Sequence, residues 1–141
     1  MVALDSNVLI AAHRSEHDLH QAARRRLLEI AQGEAPWGLP VFCIPEFLRV
    51  VTHARVFTPP TTLPVALTFV DRLLESPTLR LLLPGDSFWD HMRAVTESSD
   101  ARGNLVFDAQ IAALCQEHGA IDLVTADRDF SRFSGLRPDF L

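Results

Sequence analysis

The sequence predicts an α/β domain in three layers, α/β/α, with a mostly parallel central sheet of four to five strands. Two observations carry this. Short apolar runs recur along the chain, and the segments between them carry apolar residues at helical spacing over ten or more positions. Parallel strands need crossovers of that length, and helical crossovers cover both faces of the sheet.

The first run, Val2-Ala3-Leu4, ends in Asp5, and Ser6-Asn7 open the apolar stretch Val8 to Ala12, a strand feeding a helix. Asp18 is positioned to cap a second helix running to Gly33. Its Leu19, Ala22, Ala23, Leu27 and Ile30 share one side, with Arg24, Arg25 and Arg26 around the other. Trp37 to Ile44 reads as the second strand, and Pro45 suits the first turn of a third helix containing Phe47, Leu48, Val50 and Val51. After the loop Thr58-Pro59-Pro60-Thr61-Thr62, a fourth helix starts near Pro64 and stops before Pro77. Leu79 to Leu83 is the third strand, closed by Pro84-Gly85. A helix from near Asp86 to Glu97 gives way to a polar loop, Ser98 to Asn104. Val106 to His118 forms the last helix, ending at Gly119, and Asp122 to Thr125 the fourth strand. No repeat or linker divides residues 1–141, so a single domain is expected.

Composition narrows the function classes. Hydrophobic residues make up 48% and charged residues 22% of the 141, enough for a true core. Arg, Asp or Pro breaks every apolar stretch well short of the roughly 20 residues that cross a bilayer, so no membrane role is expected. The first residues lack the basic and apolar regions of a signal peptide, which points to the cytoplasm. Cys43 and Cys115 have apolar neighbours and read as two buried thiols rather than a disulfide or metal site. The net charge of −5 argues against a protein that holds nucleic acid by a broad basic field. All thirteen basic residues are Arg; the chain has no Lys.

Four acids deserve separate treatment. Asp5 and Asp127 fall at or just after strand ends, the edge where ligands of such sheets sit. Glu46 begins the helix after the second strand. Asp108 shares helical spacing with Ile111, Ala112 and Cys115, a face that reads as buried. Each has an ordinary alternative: Asp5 as a helix cap, Glu46 as a dipole-friendly residue of a first turn, Asp127 as the cap of the Arg128-Asp129-Phe130 turn. Asp108 is harder to explain so, because an Asp is almost never fully buried without a partner. Clustered carboxylates repel unless a cation neutralises them, and Arg128 is the only basic residue beside any of the four in sequence. A hard divalent cation, Mg²⁺ with Mn²⁺ as substitute, satisfies that set. Asp129 reads either as a turn residue or as an acceptor supporting the others.

Asp5-Ser6-Asn7-Val8-Leu9, Glu46, the segment Asn104 to Ala113 around Asp108, and Leu123-Val124-Thr125-Ala126-Asp127-Arg128-Asp129-Phe130 resemble, in order, the four motifs of PIN domains. The Leu48-Arg49-Val50-Val51-Thr52 and Arg55-Val56-Phe57 blocks are most similar to the VapC branch, ribonuclease toxins of toxin–antitoxin pairs. The resemblance spans nearly the whole chain. It implies a PIN-like fold and a metal-dependent endoribonuclease neutralised by a VapB-like antitoxin. The implied catalytic residues are Asp5, Glu46, Asp108 and Asp127, with Asp5 and Asp108 the most direct metal ligands and Asp127 completing the metal set. Ser6, Asn7, Thr125 and Asp129 would support these carboxylates by hydrogen bonds. Ser6 stands where many relatives carry Thr, and the last motif leaves open whether Asp127 or Asp129 faces the metal.

In-line hydrolysis of an RNA phosphodiester is the expected reaction. The antitoxin is expected to place an Arg among the acids. A homodimer is expected on the third and fourth helices, from Phe47-Leu48, Val50-Val51, Leu67 and Phe69-Val70. Two other readings compete. Phosphoryl transfer onto an aspartate would call for a Lys, which is missing; a catalytically inactive PIN scaffold that only binds RNA or protein would have no reason to assemble repelling charges.

Overall fold

The computed structural model describes residues 1–141. Its elements are β1 (Val2–Leu4), α1 (Ser6–His13), α2 (His20–Ala31), β2 (Trp37–Pro40), α3 (Cys43–Val51), α4 (Leu63–Leu74), β3 (Leu79–Leu82), α5 (Phe88–Ser99), α6 (Leu105–Glu117), β4 (Asp122–Thr125), a 3₁₀ turn (Arg128–Arg132) and β5 (Arg137–Phe140). The strands form one sheet in the order β3-β2-β1-β4-β5, every pair parallel. This is the predicted α/β architecture with five strands.

That order creates a switch point. The chain moves outward from β1 through β2 to β3, then returns to place β4 on the other side of β1. Right-handed crossovers in two directions put helices on both faces: α1 packs on α2 and α3, and α5 packs on α6. The crevice outside the carboxyl ends of β1 and β4 lies where the direction reverses, the place such sheets offer a ligand.

Several boundaries differ from the sequence reading. β2 stops at Pro40, four residues before Ile44, because after the Val41 N–H bonds the Leu82 carbonyl the chain turns into α3, which begins at Cys43. Pro45 then occupies the first turn of α3, where a missing N–H costs nothing. Asp18 does not cap α2; the helix starts at His20 without a side-chain cap, and the His17 ring accepts the Leu19 N–H instead. Ser98 and Ser99 belong to α5, each hydroxyl donating back to the Val95 carbonyl. β5 carries no apolar run: its residues are exposed or half-buried, and its proline is tolerated on an edge strand.

Trp37, Phe47 and Phe130 are the largest fully buried side chains, and Cys43 and Cys115 are buried free thiols, as read from their neighbours. At Gly38 the core is so close that an added Cβ would lie 2.9 Å from Leu82 Cδ1. Leu82 is itself buried and has little room to yield. Gly38→Ala should therefore cost about 1–3 kcal/mol by overpacking, and Leu82→Ala about 2–5 kcal/mol by cavity formation. The double variant should lose less than the sum, because the shortened side chain makes room for the methyl group. Urea unfolding of the three variants checks this; strict additivity would contradict the packing account.

Candidate active site

Asp5 stands at the centre of the sheet's carboxyl edge, 2% exposed, its N–H bonded to the Val124 carbonyl at 3.0 Å. It is the N-cap of α1, as its ordinary reading expects. Oδ1 accepts the Ser6 N–H at 2.7 Å and the Ser6 hydroxyl at 3.3 Å. Oδ2 accepts the Thr125 hydroxyl at 2.7 Å and the Asn7 amide. Four donors, three from the start of α1 and one from the end of β4, thus converge on one carboxylate, supplied by Ser6, Asn7 and Thr125. Even so, burial outweighs them and pushes the Asp5 pKa up to about 6, with the Glu46 charge adding to the effect.

The same network extends to Asp127. The Asn7 side-chain oxygen accepts the Ala126 N–H at 2.9 Å, and Thr125 Oγ1 accepts the Asp127 N–H at 3.0 Å. Asp127 caps the 3₁₀ turn by accepting the Asp129 N–H on Oδ1 at 2.8 Å, which leaves Oδ2 free. Asp108, on the first turn of α6, faces this segment. Burial raises its pKa to about 7, followed by the charges of Asp127, Asp5, Glu46 and Asp129.

Glu46, Asp108, Asp127 and Asp129 line one open cleft of about 680 Å³. Oxygens of Asp108, Asp127 and Asp129 lie within 4.8 Å of one another, close enough to share a cation. Both acids of the final motif therefore reach the cleft. Asp5 lies beneath it and outside that trio, with its lone pairs already engaged. An all-oxygen set in which burial, and after it the neighbouring carboxylates, push the Asp108 pKa up fits a hard divalent cation well.

The basic residue at the site is not the one adjacent in sequence. Arg128 stacks its guanidinium on the Phe140 ring, 4.3 Å from the centroid, whereas Arg49, one turn beyond Glu46 on α3, lines the cleft. Phe42, Phe107 and Gln110 line it too, and sequence reasoning passed over them. The i, i+3 spacings of Glu46 with Arg49 and of Phe107 with Gln110 were the available signal.

The two raised pKa values have opposite consequences on substitution. Both carboxyls titrate above the 3.8 of a free aspartate, so without a cation the native state holds more protons than the unfolded chain between there and about 6–7. Their contribution to stability is fully present at low pH and is lost as pH rises through that window. Asp108 accepts no side-chain or loop hydrogen bond, so Asp108→Asn should raise the melting temperature of EDTA-treated protein at pH 8 and flatten its pH dependence. Asp5→Asn should lower it, because an amide sets its own donors against Asn7 and Thr125 or Ser6. Thermal melts of the three proteins from pH 5 to 8 test this; stabilisation by both changes would contradict the assigned hydrogen bonds.

Residues 2–136 match the PIN domain family model. Ribonuclease VapC43 of Mycobacterium tuberculosis is 42% identical over 137 residues, covering 97% of this chain and 92% of the relative. Ribonuclease VapC31 of the same organism is 34% identical, covering 97% and 96%. Among solved structures, the fold is similar to VapBC2 from Rickettsia felis bound to a DNA fragment from their promoter. That match has a TM-score of 0.72 and 16% identity, with 100% and 99% of the chains covered. Mycobacterium tuberculosis VapC20, a Sarcin-Ricin loop cleaving toxin, matches with a TM-score of 0.68 and 16% identity over 98% and 100%. The structural likenesses speak to the fold, and the match over nearly the full length of both sequence relatives speaks to the family: this chain belongs to the PIN-domain family, among the VapC ribonucleases.

Proposed function

We propose that the chain is a Mg²⁺-dependent endoribonuclease, served also by Mn²⁺, that acts as the toxin of a toxin–antitoxin pair. The observation that carries this reading is the acidic cleft: Glu46, Asp108, Asp127 and Asp129 meet above the buried Asp5, and none of the five is in an ion pair. Asp108 and Asp127 would hold the cation with Asp129 beside them, and Asp5 would join by releasing one of its four donors. When bound, the cation lowers the pKa of a water and neutralises charge on the phosphoryl oxygens. Glu46, in the cleft but outside the trio, takes the proton from the attacking water. Ser6, Asn7 and Thr125 hold Asp5 and the Asp127 segment in place throughout. The ribonuclease names of the close relatives support RNA as the substrate. An inactive binding scaffold accounts less well for unpaired carboxylates at the one crevice of the sheet.

Purified protein should cleave RNA with Mg²⁺ or Mn²⁺ and stop in excess EDTA. Asp108→Asn should lose on the order of 10²-fold or more in rate while keeping its circular dichroism. Cleavage that persists undiminished in EDTA would overturn the reading.

The cognate antitoxin would be VapB-like and would reach the cleft with an Arg, whose planar fork bridges two carboxylates and competes with the cation. The toxin itself would pair as a homodimer. Phe47 and Val51 are spent in the protomer's own core, but α4 leaves Leu63, Val65, Leu67 and Leu74 exposed. Co-purification with the product of the adjacent reading frame, followed by sedimentation, should give a complex whose inhibition weakens with added Mg²⁺ or on Arg→Ala in the partner. Inhibition indifferent to both would place the block elsewhere.

A further inference from the structure

The cleft has a second wall that the hydrolytic chemistry leaves unused. Phe107, Gln110 and Asn104 come from the start of α6, and Arg49 and Phe42 from α3 and the turn before it. Phe107 is 59% exposed, the only one of the nine phenylalanines on the surface rather than buried or half-buried. It differs in another way. The other eight each pack against an aromatic ring or an arginine: Phe42 with Phe88, Phe47 with Phe69, Phe130 with Phe133, Phe57 under Arg14 and Phe140 under Arg128. Phe107 has no such partner, and it stands immediately before Asp108 at the mouth of the acidic cleft.

Arg49 is the single basic side chain lining the cleft, and it makes no ion pair although Glu46 lies one helical turn away. Gln110, one turn beyond Phe107, is half-buried, lines the cleft and takes part in no side-chain hydrogen bond. A free aromatic face, a free guanidinium and a free amide beside a cation site form a set of complementary chemistry. The face suits a nucleobase, the fork a phosphate, and the amide both donates to and accepts from a base edge.

We infer that this wall is a nucleotide-binding subsite: Phe107 stacks on an unpaired base flanking the scissile phosphate, Gln110 contacts that base's edge, and Arg49 holds an adjacent phosphate. The inference rests on the ribonuclease reading. An exposed Phe in isolation is ordinary on a protein surface; what distinguishes this one is its place among unpartnered polar groups at the reacting centre. It also resolves an electrostatic difficulty, since a polyanion entering an acidic cleft of a protein with net charge −5 needs a fixed positive contact besides the cation. Stacking requires a base out of its duplex, so the subsite selects single-stranded or looped RNA.

The test separates binding from cleavage. Anisotropy of a short fluorescein-labelled single-stranded RNA of mixed sequence is measured with Asp108→Asn and with the same protein carrying Phe107→Ala, Phe107→Leu, Phe107→Trp, Arg49→Ala or Arg49→Lys. KM, kcat and cleavage positions are measured for the Phe107 and Arg49 variants with Asp108 intact. Phe107→Ala and Phe107→Leu should weaken binding about tenfold and raise KM with kcat little changed, and Phe107→Trp should restore both. Arg49→Ala should reduce the slope of log affinity against log salt by about one, and Arg49→Lys should keep it. Unchanged binding, KM and cleavage positions in Phe107→Ala, with the wild type active, would overturn the subsite and leave the ribonuclease reading standing. The same holds if that variant loses only its inhibition by the antitoxin, which would make Phe107 a protein-docking residue. A wild type that binds RNA through Phe107 but never cleaves it would instead support the subsite and remove the hydrolytic reading.

Discussion

The structure depends on one buried charge. Asp5 sits at the middle of the sheet, where β1 is flanked by β2 and β4, and its carboxylate is the node that ties β1, α1 and β4 together. Hydrogen bonds to an ionised acceptor are roughly twice as strong as neutral ones, and four of them meet here. They do not cancel the cost of burial, since the pKa remains raised at about 6. The residual is useful: a site with unfavourable charge in its resting state gains more from a cation than a fully compensated one would. The donors matter for geometry as much as for energy. Asn7 with its side-chain oxygen, and Thr125 with the same hydroxyl that donates to Asp5, hold the backbone at Ala126 and Asp127, so the buried acid sets the position of one in the cleft.

Charge placement then governs how a polyanion is received. The thirteen arginines do not form a field around the acids; Arg26 and Arg137 pair with Asp139 and Asp122 at the β5 edge, and Arg128 is drawn onto Phe140. Arg49 alone faces the cleft. Long-range attraction is weak when the net charge is negative and the Debye length is about 8 Å. On the proposed reading, recognition would therefore occur at contact distance, through a cation, the Arg49 guanidinium and the Phe107 ring. Such a site discriminates by the local shape of the chain it meets rather than by its overall charge.

Two interior strands were legible in the sequence. β1 and β4 have the bounds read there, Val2 to Leu4 and Asp122 to Thr125, because each lies between two neighbours and carries buried apolar residues, Ala3-Leu4 and Leu123-Val124. β5 was not legible, since an edge strand reading Arg137-Pro138-Asp139-Phe140 owes its pairing to β4 and not to its own pattern. Asp18 is not the cap because α2 begins one residue later than the sequence reading placed it: Leu19 is the N-cap residue, and its own N–H bonds the His17 ring. The acids Glu46, Asp108 and Asp127 were legible as a convergent group, for strand ends and helix starts place them. Arg49 was not, because adjacency in sequence favoured Arg128, and only the fold shows that Arg128 turns away to a ring on β5.

Caps and site residues also turn out not to be rival explanations. Asp5 caps α1 and Asp127 caps the 3₁₀ turn, yet both belong to the acidic group at the crevice. In a parallel sheet every strand delivers its carboxyl end to the same edge, and the following helix begins there with unpaired N–H groups. A carboxylate at that junction can satisfy those donors with one oxygen and face the crevice with the other, as Asp127 does with Oδ1 and Oδ2. Asp5 is the limiting case, with both oxygens claimed by the fold, so a cation in the cleft would have to compete with the protein for it. The division of labour between an accessible trio and a saturated anchor follows from where each acid stands relative to the sheet: Asp5 inside its central layer, Asp108, Asp127 and Asp129 above the edge.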